Sequence, residues 1–193
     1  MAEPLPRGQQ LLLQRIMAAH CVTEDQANDI MESIGDDMGG LTLVQCLRSI
    51  NKGLQFFELE IVTMIGDDGE RFHALVNKRS CDIAKHAFPQ VDHNVRAYIR
   101  LVMEALVEGP CVRSTLVNVR GDLKDPLKLD LDGADRCIQT LLEEHWLVQD
   151  SKRKGSDNYA KLKLGPRSFL ELTHLLTDLG YPRDELPQLV YHR

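Results

Sequence analysis

Residues 132–179 constrain the fold of this chain most, because their apolar spacing changes from helical to alternating within one stretch. The stretch begins with one apolar face of a helix, formed by Ala134, Cys137, Ile138, Leu141 and Leu142. Residues 146–148 and a polar, basic run over 151–158 follow, and then Lys161 and Lys163 alternate with apolar residues, as in a half-buried strand. This order predicts the second half of a winged helix, with the basic run as its wing.

The N-terminal part of the chain shows the same order of elements. Thr23 and Thr42 each precede a Gln by three residues, a capping-box pattern that predicts the start of a helix. A hairpin is predicted after these helices, with residues 66–69 as its turn. In its first strand, Phe57, Leu59 and Ile61 alternate with Glu58 and Glu60. We therefore predict a mainly α protein with small β-hairpins, organised as tandem winged-helix domains.

The repeated pattern also predicts domain boundaries. Residues 1–79 are expected to form winged-helix domain 1, and residues 80–181 a linker helix followed by winged-helix domain 2. A last helix is expected to open at Gly165-Pro166, since Pro is favoured in the first turn, and to run to Leu179. Residues 182–193 are expected to form a C-terminal tail.

Charge and cysteine content limit the function classes. The net charge of -6 does not suggest a protein that coats nucleic acid. The five cysteines are scattered and never form a CxxC pair, which fits a reducing compartment and thiols that act as small hydrophobic groups. No segment is long enough to span a membrane, so we expect a soluble intracellular protein without a membrane partner.

The basic run is the candidate nucleic-acid site. Lys152, Arg153 and Lys154 lie in the predicted wing, and Lys161 and Lys163 follow on the returning strand. Such side chains contact phosphates electrostatically, so any binding is expected to be weak and unspecific. The alternative is that the run is simply a solvated loop.

The helix that would enter a DNA groove is acidic, which argues against reading of base sequence. It carries Asp135, Glu143 and Glu144 against the single Arg136, and phosphates would repel that face. No nucleophile has a base at meaningful spacing, and no phosphate-binding loop is present, so we assign no catalytic residues. The sequence favours binding to a protein over binding to DNA.

Several segments together resemble one known family. These are residues 11–20, the hairpin over 59–77, residues 141–147 and residues 165–172. In order and spacing they are similar to the first non-SMC element of the five–six structural-maintenance-of-chromosomes complex. The resemblance covers residues 11–181.

The resemblance implies a fold, partners and a location. It implies tandem winged helices that bind the MAGE-like third element, which in turn contacts the kleisin fourth element and, through the complex, the SMC heterodimer. It also implies a nuclear role in DNA repair and recombination. The alternative is a winged-helix factor that binds DNA directly.

Members of this family usually carry a zinc-binding, RING-like domain after the second winged helix, linked to E3 ubiquitin ligase activity. That domain would begin near residues 182–193, and no cysteine follows Cys137. No zinc ligands can therefore be carried over, and we expect no metal or other cofactor in this chain. A ubiquitin ligase remains a third hypothesis, against which the missing cysteine cluster counts.

Overall fold

The computed structural model describes residues 4–78, 92–150 and 160–192, and the chain divides into two compact units. The first unit comprises Met1–Ser80 together with Pro187–Arg193, and the second comprises Cys81–Leu186. The last residues thus return to the first unit, where the sequence suggested only a tail. The predicted linker helix over residues 80–88 lies outside the described residues.

The first unit combines three helices with a sheet. Its elements are α1 (Arg7–Ala19), β1 (Cys21–Thr23), α2 (Glu24–Ile34), α3 (Leu43–Leu54), β2 (Leu59–Ile65), β3 (Arg71–Asn77) and β7 (Gln188–Tyr191). Both predicted capping boxes are present: Thr23 caps α2 and Thr42 caps α3, each by bonding the backbone N–H of the Gln at the third helical position. The third helix buries apolar residues at helical spacing, namely Leu43, Cys46, Leu47, Ile50 and Leu54.

The sheet of the first unit is antiparallel, in the order β1-β3-β2-β7. The predicted hairpin pairs Leu59–Ile65 with Arg71–Asn77. The two outer strands, β1 and β7, were not predicted, because segments of three and four residues carry too little alternation to be recognised.

Two details of the predicted first strand are wrong. Phe57 ends a 3-10 turn before the strand and is 65% exposed. Glu60 is buried, although alternation placed it on the polar face, and its carboxylate lies 2.7 Å from Nζ of Lys78. β2 lies between β3 and β7, and its residues 60–64 are all buried, so both faces of this strand are covered.

The second unit repeats this order and then adds two helices. Its elements are α4 (His93–Val107), β4 (Cys111–Val112), α5 (Arg113–Asn118), α6 (Leu131–Glu143), β5 (Leu147–Gln149), β6 (Lys161–Leu164), α7 (Pro166–Glu171) and α8 (Thr173–Asp178). Its sheet has the order β4-β6-β5, which matches β1-β3-β2 strand for strand. The prediction of a mainly helical protein with small antiparallel hairpins is confirmed.

The core of the second unit is a large apolar cluster around Trp146, which is fully buried. Tyr98 is also fully buried and donates its hydroxyl to the carbonyl of Leu116 at 2.9 Å. The predicted last helix is two helices, because Leu172 leaves the helical region at φ -115° while its side chain stays in the core. At Gly165, just before α7, an added Cβ would lie 2.3 Å from the carbonyl oxygen of His145, so only glycine fits there.

Candidate functional site

The predicted nucleic-acid site is only partly within the described residues. Lys152, Arg153 and Lys154 lie outside them, so their assignment to a wing stays a prediction. Lys161 and Lys163 are on β6, at positions that share one face of the strand; Lys161 is exposed and Lys163 is half-buried. The two lysines pair in register with Val112 and Val148. This face of β6 is therefore basic, and the assignment of the two lysines to DNA is untested.

The acidic helix α6 is engaged by a cation of its own unit. Arg113 donates from Nε to Oδ1 of Asp135 at 2.8 Å and from Nη1 to Gln139 at 3.0 Å. The hydrogen bond from Arg113 holds the pKa of Asp135 below its usual range. This carboxylate stays charged at neutral pH and is neutralised by Arg113, so α6 lacks the surplus of positive charge that a groove-reading helix needs.

A buried arginine organises the C-terminal helices of the second unit. Arg167 donates from Nη1 to Glu144 at 3.0 Å and from Nε to Glu171 at 2.6 Å, and its guanidinium lies 4.1 Å from the ring centroid of Trp146. Burial raises the pKa of Glu171, and the charge of Arg167 opposes that rise. Every charge in this cluster is paired, which is the arrangement expected of a structural site.

A second polar cluster lies inside the sheet of the first unit. Oγ1 of Thr63 lies 2.7 Å from Nδ1 of His73 and 2.6 Å from Nε2 of His192. A threonine hydroxyl has one hydrogen, so when both rings are neutral it donates to one ring and accepts from the other. Burial lowers the pKa of His73 to about 4 and also lowers the pKa of His192. Both rings are therefore neutral at physiological pH.

Asn51 on α3 connects the helix to the same sheet. Its Nδ2 donates to the carbonyls of Ile61 at 3.0 Å and His192 at 3.1 Å, and its Oδ1 accepts the N–H of Ile61 at 2.8 Å. Asn51 and Thr63 together hold the C-terminal residues of the chain to β2. Sequence reasoning missed this cluster; the one signal available was a polar residue, Asn51, within the apolar stripe of α3.

Two exposed aromatic side chains lie on the surface of the first unit. Phe56 and Phe57 are 88% and 65% exposed and contact each other edge to face, with ring centroids 5.6 Å apart. They lie at the turn that follows α3. Two adjacent exposed aromatic rings are unfavourable in water and are typical of a surface that another protein covers.

The cysteines fit packing better than metal binding. Cys46 and Cys137 are buried in the cores of different units, and burial raises the pKa of both thiols, that of Cys137 to about 12. Thiols of this kind stay protonated and pack as small hydrophobic groups. Within residues 4–78, 92–150 and 160–192, no three His, Cys, Asp or Glu side chains are grouped to hold a metal ion. The described residues therefore do not fit the zinc of a RING-like domain.

The helices formed by the described residues include none with the length and hydropathy needed to cross a membrane.

Comparisons with known proteins place the chain in a family. A search of curated proteins found no match. Among solved structures, the chain is similar to a chain of an "Nse1-Nse3-Nse4 complex", with a TM-score of 0.73 and 20% sequence identity over 92% of this chain and 76% of that chain. The family model described as "Nse1 non-SMC component of SMC5-6 complex" matches residues 9–121, more than half of the sequence. The chain therefore belongs to the family of the Nse1 non-SMC component of the SMC5-6 complex.

Proposed function

We propose that this protein is a scaffold subunit of the SMC5-6 complex, built of two winged-helix domains. It binds the MAGE-like third element and, through that element, reaches the kleisin fourth element and the SMC heterodimer. Family membership and the printed title of the similar structure, an Nse1-Nse3-Nse4 complex, support this proposal. The winged-helix assignment is supported by the order helix, strand, helix, helix, strand, strand, which occurs once in each unit.

The observation that carries the proposal is the exposed pair Phe56 and Phe57. A winged helix that reads DNA needs a basic helix face, whereas α6 of the second unit carries paired acidic side chains such as Asp135. The exposed aromatic rings instead suit a protein interface, where such side chains supply much of the binding energy. A partner-binding scaffold therefore fits the described surfaces better than a DNA reader.

Calorimetry of the chain with the MAGE-like element tests this proposal. We expect one-to-one binding, weakened by about ten- to a hundredfold when Phe56 and Phe57 are both changed to Ser, because aromatic anchors at an interface dominate its affinity. Met17→Ser is the matched control, since Met17 is also an exposed apolar residue, on α1. A wild-type chain that ignores the MAGE-like element would refute the scaffold proposal.

A nuclear location and a role in DNA repair and recombination follow from the proposed complex. Depletion of the protein is expected to sensitise cells to DNA damage, and restoring the Phe56→Ser, Phe57→Ser chain is expected not to rescue them. If that variant rescued the cells at an equal protein level, the role in repair would not depend on this surface.

Direct DNA binding is a second candidate, supported by the basic face that Lys161 and Lys163 form on β6. Ubiquitin ligase activity is a third, and it needs a zinc-ordered domain to dock the conjugating enzyme. We expect the purified chain to contain no stoichiometric zinc and to show no ligase activity alone. Elemental analysis and an autoubiquitination assay with only activating and conjugating enzymes check both expectations.

A further inference from the structure

A cavity of about 200 Å³ lies in the first unit, lined by residues of α3 and of three strands of the sheet. Its apolar lining includes Leu43, Leu47, Ile65 and Val190. Pockets for drug-sized ligands measure roughly 300–1,000 Å³. This cavity is smaller, and its size suits a single side chain rather than a cofactor.

The cavity also has a polar part. Thr63 and His73, which are hydrogen-bonded to each other, both contribute to its lining. Nε2 of His73 is buried and has no hydrogen-bond partner among the described residues. A buried polar nitrogen without a partner is unfavourable, so an occupant that carries a hydrogen-bonding group next to its apolar part is favoured.

The charges around the cavity favour an anion. Arg71 is neutralised by Glu24, whose carboxylate lies 3.1 Å from Nη1. Arg48 is exposed, lines the same cavity, and takes part in none of the ion pairs found in the described part of the first unit. Within the part of the chain that the structure describes, one cation without an ion-pair partner thus lies beside an apolar cavity, in a chain of net charge -6. Opposite charge on a partner gives electrostatic complementarity at this position.

We propose that this cavity is a docking pocket for an extended segment of a partner protein in which an acidic residue adjoins a leucine-sized apolar residue. The apolar side chain packs against Ile65 and Val190, which are both half-buried, and the neighbouring carboxylate pairs with Arg48. A DNA backbone does not suit the pocket, because DNA needs several cations for its phosphates and has no use for apolar walls. The proposal goes beyond the assembly role, since it names a second contact that does not depend on the MAGE-like element.

Dipeptides test the pocket without knowledge of the partner. The uniformly ¹⁵N-labelled full chain is titrated with N-acetyl-Leu-Asp-amide and followed by NMR. We expect saturable shifts of the amide signals of Leu47, Thr63 and Val190. N-acetyl-Ala-Asp-amide is expected to bind more weakly because it leaves the apolar part empty, and N-acetyl-Leu-Asn-amide is expected to lose about two- to fivefold in affinity with its charge.

Variants of α3 separate charge from shape. Arg48→Gln is expected to make the Leu-Asp and Leu-Asn probes bind equally, whereas Lys52→Gln removes the same charge from the same helix but does not line the cavity, and should change nothing. Val44→Trp fills the entrance from a partly exposed position and should abolish the shifts while the rest of the spectrum stays native. The proposal would be overturned if the Ala-Asp probe bound as tightly as the Leu-Asp probe. Shifts centred on residues outside the cavity, or no saturable shift at the solubility limit, would overturn it as well.

Discussion

The two units share one order of elements but complete their sheets in different ways. In the first unit the outer edge of β2 is covered by β7, a strand that arrives from the far end of the chain. In the second unit no strand within the described residues pairs with the outer edge of β5, and α7 packs against β5 instead. The same strand order is therefore completed by a distant strand in the first unit and by the following helix in the second.

The interiors differ accordingly. The buried positions of α3 recur in α6, where Cys46 corresponds to Cys137 and Asn51 corresponds to Leu142. The side chain of Asn51 forms hydrogen bonds with the backbones of β2 and the C-terminal segment, whereas Leu142 packs against the apolar cluster around Trp146. A strand that comes from the far end of the chain is held by specific hydrogen bonds, while a helix that follows directly is held by apolar burial.

The largest expected effect comes from removing residues 187–193. The first unit should lose about 4 kcal/mol of its unfolding free energy, because β2 loses one of its two partner strands and the side chains of Asn51 and Thr63 lose partners. Hydrogen exchange should show lower protection in β2 and α3, with unchanged protection in α4 and α6. Equal loss of protection in both units would show that the first unit does not depend on β7 in particular.

Asn51→Leu gives the first unit the residue that the second unit has at the corresponding position. We expect a loss of about 3 kcal/mol, since backbone groups of Ile61 and His192 remain buried without the amide. Leu142→Asn is the matched exchange and should cost about 1 kcal/mol, because Leu142 is only half-buried. Urea denaturation followed by hydrogen exchange measures both variants. If Asn51→Leu leaves the free energy of unfolding unchanged, apolar packing rather than hydrogen bonding holds β7.

The stability of the two units should also differ in its dependence on pH. The pKa of His73 is lowered to about 4 in the folded state and that of His192 is lowered as well, so the unfolded chain binds these protons first. Stability of the first unit is then full above about pH 6.5 and is lost as the pH falls toward 4, by about 2 kcal/mol at pH 5.

His73→Gln should flatten this part of the pH profile of the first unit, measured by hydrogen exchange across the acidic range. The matched control is His174→Gln, which changes an exposed histidine of the second unit and should leave the profile unaltered. A wild-type profile in His73→Gln would exclude the Thr63-centred cluster as its cause.

The smallest effect concerns DNA, because the hairpin turn of the first unit and the predicted wing of the second unit differ in charge. Residues 66–70 of the first unit are acidic, whereas Lys152, Arg153 and Lys154 of the second unit are basic. Changing these three to Glu should abolish the weak binding of a short duplex in anisotropy measurements and flatten its salt dependence. Lys161→Glu with Lys163→Glu should weaken it several-fold. Lys52→Glu in the first unit is the control, and unchanged affinity of the triple variant would refute the wing assignment.

Local signals in the sequence predicted most helices correctly. The capping boxes at Thr23 and Thr42 and the apolar spacing of α3 and α6 depend on hydrogen bonds and faces within a few residues. The split at Leu172 was missed because the apolar spacing continues across it, and only packing against the core changes the backbone there.

The candidate pocket was beyond prediction for a related reason. It brings together Arg48, Thr63, His73 and Val190, which lie on four elements and carry no shared motif. Charge patterning instead predicted a site at Lys161 and Lys163, because a basic run can be recognised along the chain whereas a spatial cluster cannot.

The sequence by itself determined the order of elements, the apolar faces of the helices, the central hairpins and the resemblance that the family match confirms. The tertiary structure alone decided that β7 completes the sheet of the first unit, that Glu60 is buried, and that Thr63 bridges two histidines. Periodicity and capping are local and can be read along the chain. The pairing of Thr63 with Val190 joins segments on either side of a whole unit, and only the folded backbone brings them together.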